Sequence, residues 1–296
     1  MPDQAESLRQ LLREEHPTVS KRSGNMRLIA VASGKGGVGK SNISLNLGLM
    51  LAKEGLRIAI LDGDFGFANI DILLGVRPHY SLLDVLEGHI SLQQALTRGP
   101  HDLAFISGGA KLITDMQAHS LYGAKLTEEL LLIEDQFDRV YIDFGAGFGP
   151  FTAELMGLCD ELLLITTPEP TALADAYALL KMVKNTITLP PVFLLINRAV
   201  NVVSGMDAGR KLSRVAEQFL QTQIEVIGYV LEDPAVQRAV SKQTPFVLLE
   251  PHSLATRCLM QITKNVREDS FRPIAPELEK TRGLQGFLNR FLPFRR

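Results

Sequence analysis

A single doubly wound α/β unit is the fold class this sequence predicts: one mostly parallel sheet flanked by helices, with a short helical extension at each end. Three observations predict it. Short apolar runs alternate with stretches of helical spacing, in βαβ order, from Arg27 onward. Several of those runs carry no polar residue, as strands covered on both faces do. The glycine-rich stretch Gly34-Lys35-Gly36-Gly37-Val38-Gly39-Lys40-Ser41 lies between the first such run and the first such helix.

Taken in order, the chain opens with a helical segment at Asp3–Leu12, where Ala5, Leu8 and Leu12 make one narrow apolar stripe. Its spacing leaves two options open: a helix docked on its own domain, or one kept free for a partner. The Pro- and Gly-interrupted stretch 15–26 reads as a linker between that segment (1–14) and the main domain (27–270). Strands are expected at Leu28–Val31, Ile58–Leu61, Leu103–Ile106, Val140–Ile142, Leu162–Thr166, Val192–Ile196 and Glu225–Val230. Helices are expected at Ile43–Glu54, Ala124–Gln136, Thr152–Leu158, Ala172–Asn185, Gly205–Gln221, Pro234–Ser241 and Leu254–Val266. Residues 271–296 form a second linker and a tail. There Leu284, Phe287, Leu288, Phe291 and Leu292 recur at helical spacing, with four Arg and no acid from Arg282 onward. An aromatic stripe with a basic polar face reads as a helix lying in the plane of an anionic membrane surface, the alternative being a helix docked on a protein groove.

Composition bounds the functions. The 296 residues, 46% of them hydrophobic, suffice for one large domain with short appendages. A formal net charge of −2 offers no global field to recruit nucleic acid. Cys159 and Cys258 are too few and too far apart for a disulfide framework or a C-x-x-C site. No apolar run of about 18 residues and no secretory signal pattern occurs, so the expectation is a cytosolic protein, reversibly peripheral at the inner face of the membrane through its tail.

The chemistry follows from the glycine stretch. G-x-x-x-x-G-K-[ST] between a strand and a helix is a phosphate-binding loop: its backbone N–H groups curl around phosphate oxygens at the positive end of a helix dipole. Lys40 then neutralises the β- and γ-phosphates, and the Ser41 hydroxyl ligates Mg²⁺. Asp62 and Asp64 follow the second predicted strand and Asp143 the fourth, where ligands of open α/β sheets bind. Asn197 ends the sixth and Glu232-Asp233 follows the seventh, and such residues serve equally as turn formers.

The second lysine of the loop, Lys35, makes G-K-G-G-V-G-K-S resemble the deviant Walker A loop of the MinD/ParA class of P-loop ATPases. Asp62, Asp64, Asn69 and Asp71 resemble that class's switch I, D-x-D-x-x-x-x-N-x-D, and Asp143 its Walker B acid. The resemblance implies slow, Mg²⁺-dependent hydrolysis of ATP to ADP in a switch that closes as a homodimer. Lys35 would reach the partner's phosphates, Asp64 would orient the attacking water, and Asp62 would hold a Mg²⁺-bound water. Asn197, Glu232 and Asp233 would frame the adenine. Neither of the last two segments matches a guanine-reading N-K-x-D, which favours ATP over GTP. Phe144 departs from the class, which usually has a small or hydroxyl residue after the acid. The paired cluster-bridging cysteines of the iron–sulfur branches are lacking.

The ends narrow the branch. Asp3-Gln4-Ala5-x-x-Leu8-Arg9 resembles the activator helix D-Q-A-x-x-L-R of the FlhG/FleN family of flagellar regulators, and the tail resembles the membrane-targeting sequence of the same class. That implies control of flagellar number and placement, stimulation of an FlhF-type GTPase through Gln4, and contacts with flagellar C-ring or switch proteins and a flagellar transcription regulator. A cell-division MinD would share core and tail without a use for Asp3–Arg9. A ParA-type partition ATPase would bind DNA, which the near-neutral charge disfavours.

Overall fold

The computed structural model describes residues 26–65, 69–109, 116–145 and 147–267. The expectations for Asp3, Gln4, Ala5, Leu8 and Arg9, and for Leu284, Phe287, Leu288, Phe291 and Leu292, lie outside the described residues.

Strands and helices alternate: β1 (Arg27–Ala32), α1 (Lys40–Lys53), β2 (Ile58–Gly63), α2 (Ile70–Leu74), α3 (Leu82–Leu86), α4 (Leu92–Ala95), β3 (Thr97–Arg98) and β4 (Ala104–Ile106). They continue as α5 (Met116–Leu132), β5 (Arg139–Phe144), α6 (Pro150–Leu158), β6 (Glu161–Thr166), α7 (Pro170–Thr186), β7 (Val192–Ala199) and α8 (Val202–Leu220). The last are β8 (Ile224–Leu231), α9 (Pro234–Ser241), α10 (Phe246–Leu249) and α11 (Leu254–Arg267). All seven expected strands are present. The eighth, β3, has only two residues, too short to show alternation. The helices α2, α3, α4 and α10, each of four or five residues, were equally beyond reach of periodicity. Local capping forms α3: the Ser81 hydroxyl accepts from the Asp84 N–H while the Asp84 carboxylate accepts from the Ser81 N–H.

The sheet runs β3-β4-β2-β5-β1-β6-β7-β8. Every neighbouring pair is parallel except β3 against β4. Period-2 alternation sends consecutive residues to opposite faces. Leu28, Ala30, Leu61, Ile142, Leu164 and Ile196 pack with Leu126 and Leu130 of α5, Leu155 of α6, Leu179 and Leu180 of α7 and Leu212 of α8. Ile29, Val31, Ile60, Tyr141, Ile165 and Leu195 pack with α1 and α11 on the other face. Helix α1 is pinned there by the fully buried Asn46, whose Oδ1 accepts from the Val247 N–H of α10 at 3.0 Å.

This order positions the site. β1 lies between β5 and β6, so the chain leaves it toward β2 on one side and later fills β6 to β8 on the other. Loops leaving neighbouring strands in opposite senses open a crevice at their C-terminal ends. The described chain ends, Met26 and Arg267, lie at the opposite edge: Met26 precedes β1, and the Val266 carbonyl accepts from Arg139, the first residue of β5. Among the described residues no helix is long and apolar enough to cross a membrane.

Candidate functional site

The loop from Ser33 to Gly39 leaves β1 at that crevice and turns into α1. Gly37 and Gly39 have φ of 79° and 88°, left-handed values that residues with a Cβ rarely adopt. Gly34 is required for a different reason: a Cβ there would overlap the backbone of Asp175 in α7, so the loop rests directly on that helix. Lys40 is the first residue of α1 and is buried. Its ammonium pairs with Asp143 Oδ1 and lies 3.4 Å from Ser41 Oγ. The second oxygen, Asp143 Oδ2, is buried with no protein partner.

Asp62 stands beside Asp143 in the β2–β5 register and is fully buried. Burial, and then the neighbouring Asp143 carboxylate, push its pKa up to about 7. Three backbone N–H groups oppose that rise: Asp64 donates to Oδ1 at 3.0 Å, and Asn69 and Ile70 donate to Oδ2 at 2.8 and 3.2 Å. Asp62 therefore clamps the two ends of the loop that follows β2. Asp64 is half-buried. Its pKa is raised by burial, with Lys40 pulling down and Asp143 pushing up, so the three groups sense one another. Its carboxylate lies against Gly145, where a Cβ would fall 2.7 Å from Asp64 Oδ1. Phe144, the residue that departs from the expected pattern, points to the opposite face of β5 and fills the core. Strand alternation demands this, since Asp143 faces the α1 side.

The structure thus brings Lys40, Ser41, Asp62, Asp64 and Asp143 together. Lys35 is placed apart from them. Its ammonium lies 3.2 Å from Glu169 Oε2 and 3.2 Å from Thr171 Oγ1, on the outer side of the loop. Asn197 is buried at the end of β7 and donates from Nδ2 to the Val38 carbonyl at 2.7 Å. Glu232 and Asp233 are engaged elsewhere. Glu232 Oε1 is 3.8 Å from Arg198 at the surface. Asp233 Oδ1 accepts from the Ala235 N–H at 2.8 Å and Oδ2 from the Ala255 N–H at 3.1 Å, capping α9 and α11 at once. Partial burial works against the charged form of Asp233, but those N–H bonds prevail and hold its carboxyl below the usual range. Gly145, Glu169 and Thr171 were not singled out as site residues by motif.

The donor set fits a nucleotide with Mg²⁺. A glycine cradle and a buried lysine at a helix N-terminus suit phosphates. A buried carboxylate oxygen without a partner and a serine hydroxyl, both next to Lys40, suit a hard divalent ion that takes one or two protein oxygens and completes its shell with phosphate and water.

A ParA family pattern, described as "NUBPL iron-transfer P-loop NTPase", matches residues 25–267. The chain belongs to the ParA family of P-loop NTPases. Members of this MinD/ParA family are ATPases. Among the described residues no group of three or more His, Cys, Asp or Glu is placed to hold a metal ion. The chain is 33% identical over 249 residues to the antiactivator FleN of Pseudomonas aeruginosa, covering 83% of this chain and 89% of that protein. It is 30% identical over 298 residues to the flagellum site-determining protein YlxH of Helicobacter pylori, covering 99% of both. Among solved structures, the cell division ATPase MinD of Pyrococcus furiosus superposes with a TM-score of 0.67 at 25% identity, covering 82% of this chain and 98% of that one. The doubly wound, P-loop NTPase fold expected from the sequence is the fold observed.

Proposed function

We propose that this ParA-family chain is an ATP-driven, dimerising switch that sets flagellar number and placement. The observation that carries the switch reading is the separation of its two loop lysines. Lys40 is buried in its own site against Asp143, whereas Lys35 stands outside that site in an exposed pair with Glu169, which it would exchange for phosphates of a second copy. The flagellar part rests on the likeness to FleN and YlxH, the latter spanning nearly the whole chain, ends included.

In this reading the loop N–H groups and Lys40 bind the phosphates of ATP, and Ser41 and Asp143 hold Mg²⁺. When bound, the ion neutralises charge on the phosphate oxygens as the terminal phosphoryl leaves. Asp64, half-buried beside Lys40 and seated on Gly145, orients the attacking water. Asp62 ties the loop carrying Asp64 to β2 through three N–H bonds, and with its remaining acceptor capacity would hold a Mg²⁺-bound water. Dimerisation pairs two tail helices, each weak alone, so that ATP drives the protein from the cytosol to the membrane surface through Leu284, Phe287, Leu288, Phe291 and Leu292. The segment Asp3, Gln4, Ala5, Leu8 and Arg9 acts on an FlhF-type GTPase. C-ring proteins and a flagellar transcription regulator are further partners of this reading.

Light scattering with ATP and Mg²⁺ tests the switch. Lys35→Ala should bind nucleotide and remain a monomer; a Lys35→Ala dimer as stable as the parent removes the cross-subunit role. A peptide of residues 1–20 tests the flagellar assignment. It should accelerate GTP hydrolysis by an FlhF-type GTPase, and Gln4→Ala should lose the acceleration while still binding. A peptide that neither binds nor accelerates returns the chain to the division-site branch.

A further inference from the structure

The side chain of Asn197 reaches from the end of β7, across the level of β6, to the loop that leaves β1. It donates one bond there, to the Val38 carbonyl at 2.7 Å, in a buried setting. The contact is close on both sides of that peptide, since a Cβ on Gly39 would overlap the same Nδ2. A trans peptide is planar, with its C=O and N–H pointing in opposite directions. Holding the Val38 carbonyl toward β7 therefore turns the Gly39 N–H the other way. Gly39 is the residue before α1, with φ of 88°, and its N–H belongs to the run that such a loop presents to phosphate. The backbone of β7 is irregular at this point: the pairing with β8 shifts between Ile196 and Ala199, and Arg198 has φ of 55°. That irregularity breaks the even alternation just where Asn197 must reach the loop.

We propose that Asn197 is a positioning residue for the phosphate loop: it orients the Val38–Gly39 peptide and so acts on the polyphosphate, independently of the base. This rests on the nucleotide-site reading above. It differs from a base-reading asparagine in one measurable respect, because a ligand with phosphates and no base should feel its loss equally.

The test uses the full chain, with ATP and inorganic tripolyphosphate as probes, both with Mg²⁺, in titration calorimetry. Asn197→Ala leaves the Val38 carbonyl without its buried donor and should weaken both probes by a similar factor, about fivefold or more. Asn197→Leu, of similar size but unable to donate and adding no charge, should do the same and serves where the alanine variant fails to fold. The lost buried bond should also lower the unliganded thermal midpoint, so both probes are titrated at a temperature where the variant is fully folded, which separates loop positioning from general destabilisation. If ATP weakens while tripolyphosphate is unchanged, Asn197 reads the base and the inference is overturned. It is also overturned if neither probe weakens. A parent chain that binds neither probe removes the nucleotide reading and this inference with it.

Discussion

The two halves of the crevice are built from the same kinds of residue and use them differently. On the phosphate-loop side, at the ends of β1, β2 and β5, Lys40, Asp62 and Asp143 are buried ionisable groups whose partners are one another and the backbone of the loop after β2. On the far side, at the ends of β7 and β8, Asp233 caps two helices and Glu232 makes a surface pair. A buried charge is costly unless chemistry or a partner requires it. A capping or surface carboxylate needs no such reason. The buried charges on the phosphate-loop side therefore call for a functional reason, whereas the contacts of Asp233 and Glu232 are accounted for by the framework.

The largest break of this contrast is Lys40→Met. It leaves Asp143 and Asp62 side by side without their cation. Removing one partner of a buried pair typically costs about 3 kcal/mol or more, so the thermal midpoint should fall and nucleotide binding should be lost. Calorimetry and thermal unfolding check both. A variant that keeps ATP affinity within a few-fold would mean that the buried pair, and not phosphate, is the business of Lys40.

Next in size is Asp64→Ala. The motive is its half-buried carboxylate beside Lys40 and against Gly145. ATP should still bind, while hydrolysis falls by about a hundredfold or more, the usual range for losing a group that directs the reacting water or its proton. Gly145→Ala should give a partial version of the same defect by displacing the carboxylate. Phosphate release and calorimetry separate turnover from binding.

The same contrast explains what could be read from the sequence. That Lys40, Ser41, Asp62, Asp64 and Asp143 come together was legible because the loop motif and the acids stand at the ends of buried strands, and buried strands announce themselves as apolar runs. The capping task of Asp233 was not legible. An Asp before Pro234 looks the same whether it faces a ligand or a helix N-terminus, and its second partner, Ala255, is 22 residues away. Phe144 read as a departure from pattern because a small or hydroxyl residue usually follows the acid; strand alternation puts it on the face opposite Asp143, in the core. The contacts of Gly34 with α7 and of Gly145 with Asp64 depend on how separate elements pack, which no local pattern encodes. The strand β3 and the short helices escaped because two to five residues contain no full period.

Asp233→Ala tests the framework side. Each lost N-cap costs about 1 kcal/mol, so two caps should cost about 2 kcal/mol of stability. The sign with pH is set by the lowered folded-state pKa. The contribution of Asp233 is present above its ordinary value of 3.8 and is lost as pH falls through the folded value below it. Denaturant unfolding of parent and variant at pH 7 and in acid should therefore converge at low pH. ATP affinity should be unchanged, and a tenfold loss would return Asp233 to the base-framing role.

The smallest expected effect belongs to Glu232→Gln, and it is the sharpest check on the contrast because almost nothing should happen. The Glu232 side chain is about half exposed, and its partner Arg198 is 3.8 Å away and similarly exposed. Pairs of this kind contribute roughly 0–0.5 kcal/mol, screened further by salt. What fixes the strand end is the backbone, where the Glu232 N–H donates to the Ala199 carbonyl at 2.9 Å, and glutamine keeps that bond. Stability should hence shift by less than about 0.5 kcal/mol, with ATP affinity within about twofold of the parent, as for a surface change away from any site. Calorimetry with ATP and with tripolyphosphate would expose an error in this assignment. If the variant loses ATP affinity tenfold and keeps tripolyphosphate, Glu232 meets the nucleoside directly. The far side of the crevice would then be a reader of the base, and the division of labour between its two halves would fail.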